Sequence, residues 1–147
     1  MSLDLPDKPG TYVLELLLES DCEIQVGRHG RAQFPAGWYY YTGSALNDLR
    51  SRIGRHIRLE KPRHWHVDGL REHAEIVSVF FTESRIRIEC SIAISILARP
   101  GAFQPYPRFG SSDCRCPTHL VGFTHRPELS LGSGWSHWDA VSGSQTC

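Results

Sequence analysis

What this sequence lacks narrows it before anything it contains. Its longest apolar stretches, around 12–18 and 92–98, fall far short of the roughly 20 residues a membrane helix needs, so no membrane association is expected. The opening Met1-Ser2-Leu3-Asp4-Leu5-Pro6-Asp7 has neither a basic flank nor an apolar core and does not read as a secretory signal. A glycine-rich phosphate loop, a Ser-His-Asp order and a dinucleotide fingerprint are all missing, which sets aside three large enzyme classes. There is no internal repeat and a single asparagine, Asn47. Net charge is also absent, 16 basic side chains balancing 16 acidic ones. The five cysteines are an odd number beside no export signal, which argues against a disulfide framework and for reduced thiols in the cytoplasm.

What is present suits one globular domain. A length of 147 residues fits a single core, and 40% hydrophobic with 22% charged residues is ordinary for a folded chain. The charge that cancels overall is unevenly placed. Residues 1–27 carry one basic and six acidic side chains, whereas residues 28–66 carry eight basic, two acidic and four histidines. That central block, net +6, is read as a seat for a phosphate backbone or as a solvated helix face.

Hydrophobic patterning supplies the elements. Gly10 to Leu18 reads as a buried strand, a second strand-like run ends at Gln25-Val26 before the turn Gly27-Arg28-His29-Gly30, and Trp38 to Gly43 is an aromatic strand. Leu46, Leu49, Ile53 and Ile57 then recur at helical spacing, with Ser44 or Asn47 as the N-cap and Pro62 as the stop. A short helix from His64, a strand over 76–81, a mostly buried helix over 86–98 and a short strand at Val121-Gly122-Phe123 follow. The domain is expected to span 1–126. The Ser/Gly-rich remainder, 127–147, is expected to be a mobile tail in which Trp135 and Trp138 dock locally.

The order of these elements, with Gly10-Thr11-Tyr12, Tyr41-Thr42-Gly43, Arg52 and His56 on a helix, and Glu89 on a later helix, resembles the GIY-YIG nuclease superfamily. More narrowly, Tyr41-Thr42-Gly43-Ser44-Ala45, Arg55-His56, His64-Trp65-His66-Val67-Asp68, Glu89-Cys90 and the run from Phe109 to Leu120 resemble its Uri-type branch of small proteins. The resemblance covers roughly residues 9–123. It implies an α+β fold, a small antiparallel sheet of about three core strands flanked by helices, here with an extra hairpin between Cys22 and Gly37. It also implies a divalent-metal-dependent endonuclease acting on DNA more readily than RNA, with Tyr12, Tyr41, Arg52, His56 and Glu89 as catalytic residues. Many members place an asparagine after the third helix; Asn47 stands elsewhere, leaving Ser112, Asp113 or His119 as substitutes.

Elementary chemistry agrees with that set. Arg52 and His56 lie one helical turn apart and can address one phosphate, and the arginine fork matches phosphate oxygens. Glu89 stands in an apolar helix, where an unpaired carboxylate is costly. Either an ion, Mg²⁺ or Mn²⁺ with most of its water, or an arginine partner would remove that cost. Tyr41 is expected to help deprotonate the attacking water if nearby cations lower its pKa, with His56 competing for the role. Arg50, Arg55, Arg58, Lys61, Arg63, His64, Trp65 and His66 are candidates for nucleic-acid contacts, Trp65 by stacking. Cys114, Cys116 and His119 supply three zinc-type ligands in six residues, with Cys90, His64 or His66 available as the fourth. A tight packed loop with reduced thiols is the other reading. So small a module has little surface for reading sequence, so selectivity is expected from substrate shape or from a partner protein. A non-catalytic binding or scaffold module on the same fold is the alternative function.

Overall fold

The computed structural model describes residues 5–27, 30–58, 66–111 and 114–139. Lys61, Arg63, His64, Trp65, Ser112 and Asp113 lie outside them.

The fold grows from the apolar run near the N-terminus. Gly10–Leu18 forms β1, nearly all of it buried, as expected of a strand covered on both sides. Tyr12, Leu14, Leu16 and Leu18 point to one core, Val13 to a second. The chain turns through a two-stranded hairpin, β2 (Cys22–Val26) and β3 (Gly30–Phe34), and returns as β4 (Gly37–Ala45). β4 runs antiparallel to β1 over its full length, Gly10 opposite Ala45 and Leu18 opposite Gly37. The inserted hairpin therefore leaves the pairing of the two flanking strands undisturbed.

Two helices follow, α1 (Leu49–Ile57) and α2 (His66–Arg71), then β5 (Glu75–Glu83), α3 (Glu89–Leu97), the short β6 (Ala102–Phe103) and β7 (Leu120–Phe123), and finally β8 (Ser136–Asp139). The main sheet has six strands in the order β6-β7-β4-β1-β5-β8, every pairing antiparallel. The sheet therefore has six strands, not the three or so expected. The additions come from short segments that apolar patterning marks weakly or not at all. β8 arises within the stretch expected to be a mobile tail: Trp138 faces Val79 across the pair, and Leu129, Leu131 and Trp135 pack on the second core. Apolar burial there outweighs the flexibility of the intervening glycines.

Two helix starts also differ. β4 continues through Ala45, so neither Ser44 nor Asn47 is the cap; Asp48 is, its Oδ1 accepting from the Ser51 amide at 2.7 Å. Leu46 is consequently 60% exposed rather than on the buried helix face. α3 begins at Glu89, leaving Ile86 in an exposed loop.

Candidate active site and metal centre

Strand register brings the two tyrosines together. Tyr12 lies opposite Gly43 and Tyr41 opposite Leu14, so both rings stand on one sheet face two residues apart. Gly43 makes room for this arrangement: a Cβ there would sit 2.5 Å from the Tyr12 hydroxyl and 2.6 Å from its Cζ. α1 crosses the same face. The Tyr12 hydroxyl and His56 Nε2 share a buried hydrogen bond of 2.7 Å, and the Tyr41 and His56 rings meet edge to face at 5.9 Å. Arg52, one turn before His56, is near enough for its charge to act on Tyr12 and donates from Nη1 to the Ser44 carbonyl at 2.8 Å. Glu89, at the start of α3, is near enough for its charge to act on both phenols. Arg87 donates to it twice, at 2.7 and 3.1 Å, both times on Oε1. All five predicted catalytic residues thus converge.

Their electrostatics differ from expectation in one respect. Burial pushes the Tyr12 and Tyr41 hydroxyls well above the ordinary phenol range, and the charge of Arg52 only partly opposes it. The negative charge of Glu89 adds to the rise. The cations do not bring Tyr41 within reach of a phenolate base near neutral pH. What the pocket holds is two protonated phenols, an imidazole, a guanidinium and a carboxylate.

Beside it lies the second cluster. Cys90 follows Glu89 on α3, Cys114, Cys116 and His119 come from the loop before β7, and their ligand atoms all lie within 4.8 Å of one another. Cys114 Sγ is 3.3 Å from both Cys116 Sγ and His119 Nε2, and Cys90 Sγ is 3.6 Å from the same nitrogen. Tetrahedral zinc, with bonds of about 2.3 Å to sulfur and about 2.0 Å to nitrogen, sets its ligands roughly 3.5–3.8 Å apart, so the group fits a metal. Burial raises the Cys90 thiol to about 12 and also raises Cys116. For Cys114, hydrogen bonds from the Cys116 backbone and from neighbouring side chains outweigh burial and hold it below the ordinary thiol value. Among the described residues this is the one group of three or more His, Cys, Asp or Glu side chains that converges in this way. At Glu89 a Mg²⁺ or Mn²⁺ ion would find a single carboxylate.

The two clusters share a wall. Gly110, at a φ of 73° that favours glycine, has both the Tyr41 ring and His119 Cβ against it. The loop is held by Arg108, which donates to the Cys116 and Ser111 carbonyls at 3.2 and 2.7 Å.

Several predicted nucleic-acid contacts have other partners. Arg55 makes two 3.1 Å bonds to buried Asp68, and Arg50 binds the Leu5 carbonyl and Asp7, both at 3.1 Å. The His66 Nδ1 accepts from the Gly110 amide at 3.1 Å, its ring rests on Phe109, and burial lowers its pKa. Arg58 caps α1 through its backbone and is exposed. The sequence argument passed over Arg87, a loop charge with no periodic signature. It also passed over Arg71, which donates to the His56, Ile57 and Ala74 carbonyls at 3.1, 2.7 and 3.0 Å and so clamps the end of α1. The signal for Arg71 was its place in the last turn of a helix next to another helix end.

No helix of the described residues is long and apolar enough to cross a membrane. Compared with known proteins, the chain matches no curated sequence and no solved structure. One family's sequence model does match, Domain of unknown function DUF123, over residues 11–133. That span takes in both tyrosines, Arg52, His56, Glu89 and the four clustered ligands, and most of the chain: the protein belongs to the DUF123 family.

Proposed function

We propose that this protein is a divalent-metal-dependent endonuclease that hydrolyses phosphodiesters in DNA, of the GIY-YIG type, and that Cys90, Cys114, Cys116 and His119 bind zinc as a structural site. One observation carries the first half. Tyr12 and His56, 44 residues apart in the chain, share a 2.7 Å bond, the Tyr41 ring meets His56 edge to face, and the charges of Arg52 and Glu89 act on both phenols. Phosphodiester hydrolysis needs an activated water, positive charge on the equatorial oxygens and help for the leaving oxygen. Arg52 provides permanent charge in a fork that fits phosphate. Tyr41, kept protonated by burial, would donate to a phosphate oxygen, while the one Tyr12 hydroxyl proton is shared with His56. Glu89 would hold Mg²⁺ or Mn²⁺ through Oε2, the oxygen Arg87 leaves alone, with water completing the shell. When bound, that ion supplies charge neutralisation and a more acidic water.

The zinc half is supported by four protein ligands of the right kind at tetrahedral spacing, a closed set that keeps no open position for a substrate and so is structural.

The test of the first half is incubation with labelled single-stranded, duplex, flap and junction DNA, and matching RNA, in Mg²⁺, Mn²⁺ or EDTA. Cutting in the metals, none in EDTA and none by folded Glu89→Gln is the expected pattern. Burial of both phenols favours a second reading, a non-catalytic nucleic-acid-binding or scaffold module that depends on a partner protein. Binding in EDTA with no cutting in either metal would select it.

A further inference from the structure

A groove of about 240 Å³ opens between the β4–α1 connection and the β5–α3 connection, floored by Gly10 and Ser44. Its rims carry Leu46 and Ile86, 60% and 74% exposed, two of the large apolar side chains the described surface leaves in water. Arg85 and Arg87 stand on the same rim as Ile86. Ser44 is 9% exposed, lines the groove, and its hydroxyl has no hydrogen-bond partner among the described residues.

The groove is contiguous with the site. Ser44 gives its carbonyl to Arg52, and Arg87 holds Glu89. Its volume is below the roughly 300–1,000 Å³ that encloses a drug-sized ligand, so it suits one base and part of a sugar, not a base pair. Apolar rims match the face of a base, and two arginines match a phosphate.

We propose that this groove seats one unpaired nucleotide of the bound strand beside the scissile phosphate, its base between Leu46 and Ile86 and its phosphate on Arg85 and Arg87. The inference rests on the nucleic-acid reading above and names the substrate class, a strand with an exposed base. It does not require turnover.

The experiment is fluorescence anisotropy in buffer with no added Mg²⁺ or Mn²⁺ and no chelator, where metal-dependent cutting is off and the proposed zinc stays in place. A labelled single-stranded DNA oligonucleotide, the same oligonucleotide with one abasic position moved along it, and the matched duplex are titrated with wild type, with Leu46→Ser/Ile86→Ser, and with Ile94→Ser, an exposed apolar residue on α3 outside the groove. Circular dichroism and thermal melts verify that each variant is folded. Wild type should prefer the single strand and lose affinity when one particular position is abasic. The double variant should bind about tenfold more weakly and be indifferent to the abasic position, with Ile94→Ser unchanged. The proposal is overturned if the double variant keeps wild-type affinity, if Ile94→Ser loses as much, if no abasic position matters, or if wild type binds no nucleic acid. Failure of the nuclease reading looks different: intact, base-dependent binding without added Mg²⁺ or Mn²⁺, and no cutting when either is supplied.

Discussion

Gly43 illustrates what a single missing side chain does in this fold. The Tyr12 ring crosses the space where its Cβ would stand, and that is how the phenol reaches His56. Gly43→Ala is therefore expected to push the Tyr12 hydroxyl away and cost about 1–3 kcal/mol, through overpacking and an unmade buried hydrogen bond. Urea denaturation checks it, and a double-mutant cycle sharpens it. Tyr12→Phe should destabilise the native background but add little on top of Gly43→Ala, since both remove the same bond. Full additivity would show that the two residues act separately. At this scale the candidates were readable only as an ordered set, Tyr12, Tyr41, Arg52, His56 and Glu89, since none of them stands out alone. Their burial was not. Whether a phenol titrates up or down depends on how completely other elements cover it, and Phe109 and His119, which help enclose Tyr41, lie far along the chain.

α1 is the element on which the site depends, because it carries Arg52 and His56, and both its ends are tied down by side chains. Asp48 caps its start, bonding Ser51 through both amide and hydroxyl at 2.7 and 3.1 Å; Arg71 gathers the carbonyls at its end. Asp48→Ala should cost about 1 kcal/mol, the usual loss for an N-cap. Arg71→Met should cost about 1–3 kcal/mol by stranding part-buried carbonyls. It should also lower any phosphodiesterase activity more than Asp48→Ala does, since one of its acceptors is the His56 carbonyl itself. Paired chemical melts and rate measurements on the two variants check this, and equal effects on rate would count against a positioning role for the clamp. The helical period of Leu49, Ile53 and Ile57 announced α1 correctly, yet its cap was misplaced. Hydrophobic spacing marks the middle of a helix, while the end is decided by how far the preceding strand goes on pairing, and β4 pairs with β1 as far as Ala45. The same limit applies to β8, a four-residue strand whose existence depends on a partner 59 residues upstream, Trp138 opposite Val79: in isolation Ser136–Asp139 has no strand pattern.

Across the whole molecule the sheet separates two kinds of polar centre. On the face away from the tyrosine pair, buried Glu15 accepts from Ser78 at 2.5 Å, from the Tyr40 hydroxyl, and from Arg126 at 3.1 and 2.9 Å, with Arg126 lying 4.7 Å over the Trp38 ring. Burial alone would raise the Glu15 carboxyl, but these bonds outweigh it and hold the group below its ordinary range. A depressed folded value means that its stabilisation is fully present above the unfolded glutamate value of about 4.3 and is lost as pH falls through the folded one. Arg126→Met should therefore destabilise the protein near neutral pH and flatten the acid limb of a stability-against-pH curve; because Arg126 is half exposed, screening holds the loss to about 1–2 kcal/mol. An acid limb as steep in the variant as in wild type would remove Glu15 from the account. The clustered cysteines likewise join segments distant in the chain: Cys90 on α3 to the loop that leads into β7. That loop has almost no regular structure, and its backbone is tied to the fold through single bonds such as His119 N to the Phe109 carbonyl at 2.7 Å and Thr42 N to the His119 carbonyl at 3.0 Å. An ion bound by all four side chains would add to stability whatever its affinity for the folded state exceeds that for the unfolded, about 4 kcal/mol when free metal is a thousandfold above Kd. Protein purified without chelator should carry one zinc per chain, lose it to a strong chelator as four side chains become titratable, and melt at a markedly lower temperature afterwards. Cys90→Ser should reproduce both the lost metal and the lowered melting temperature, although Cys90 lies 24 residues before the other three ligands, because tetrahedral closure needs all four. A metal-free preparation with the same melting temperature as the loaded one would reduce the cluster to four packed side chains, and the join between α3 and the loop to the hydrogen bonds already there.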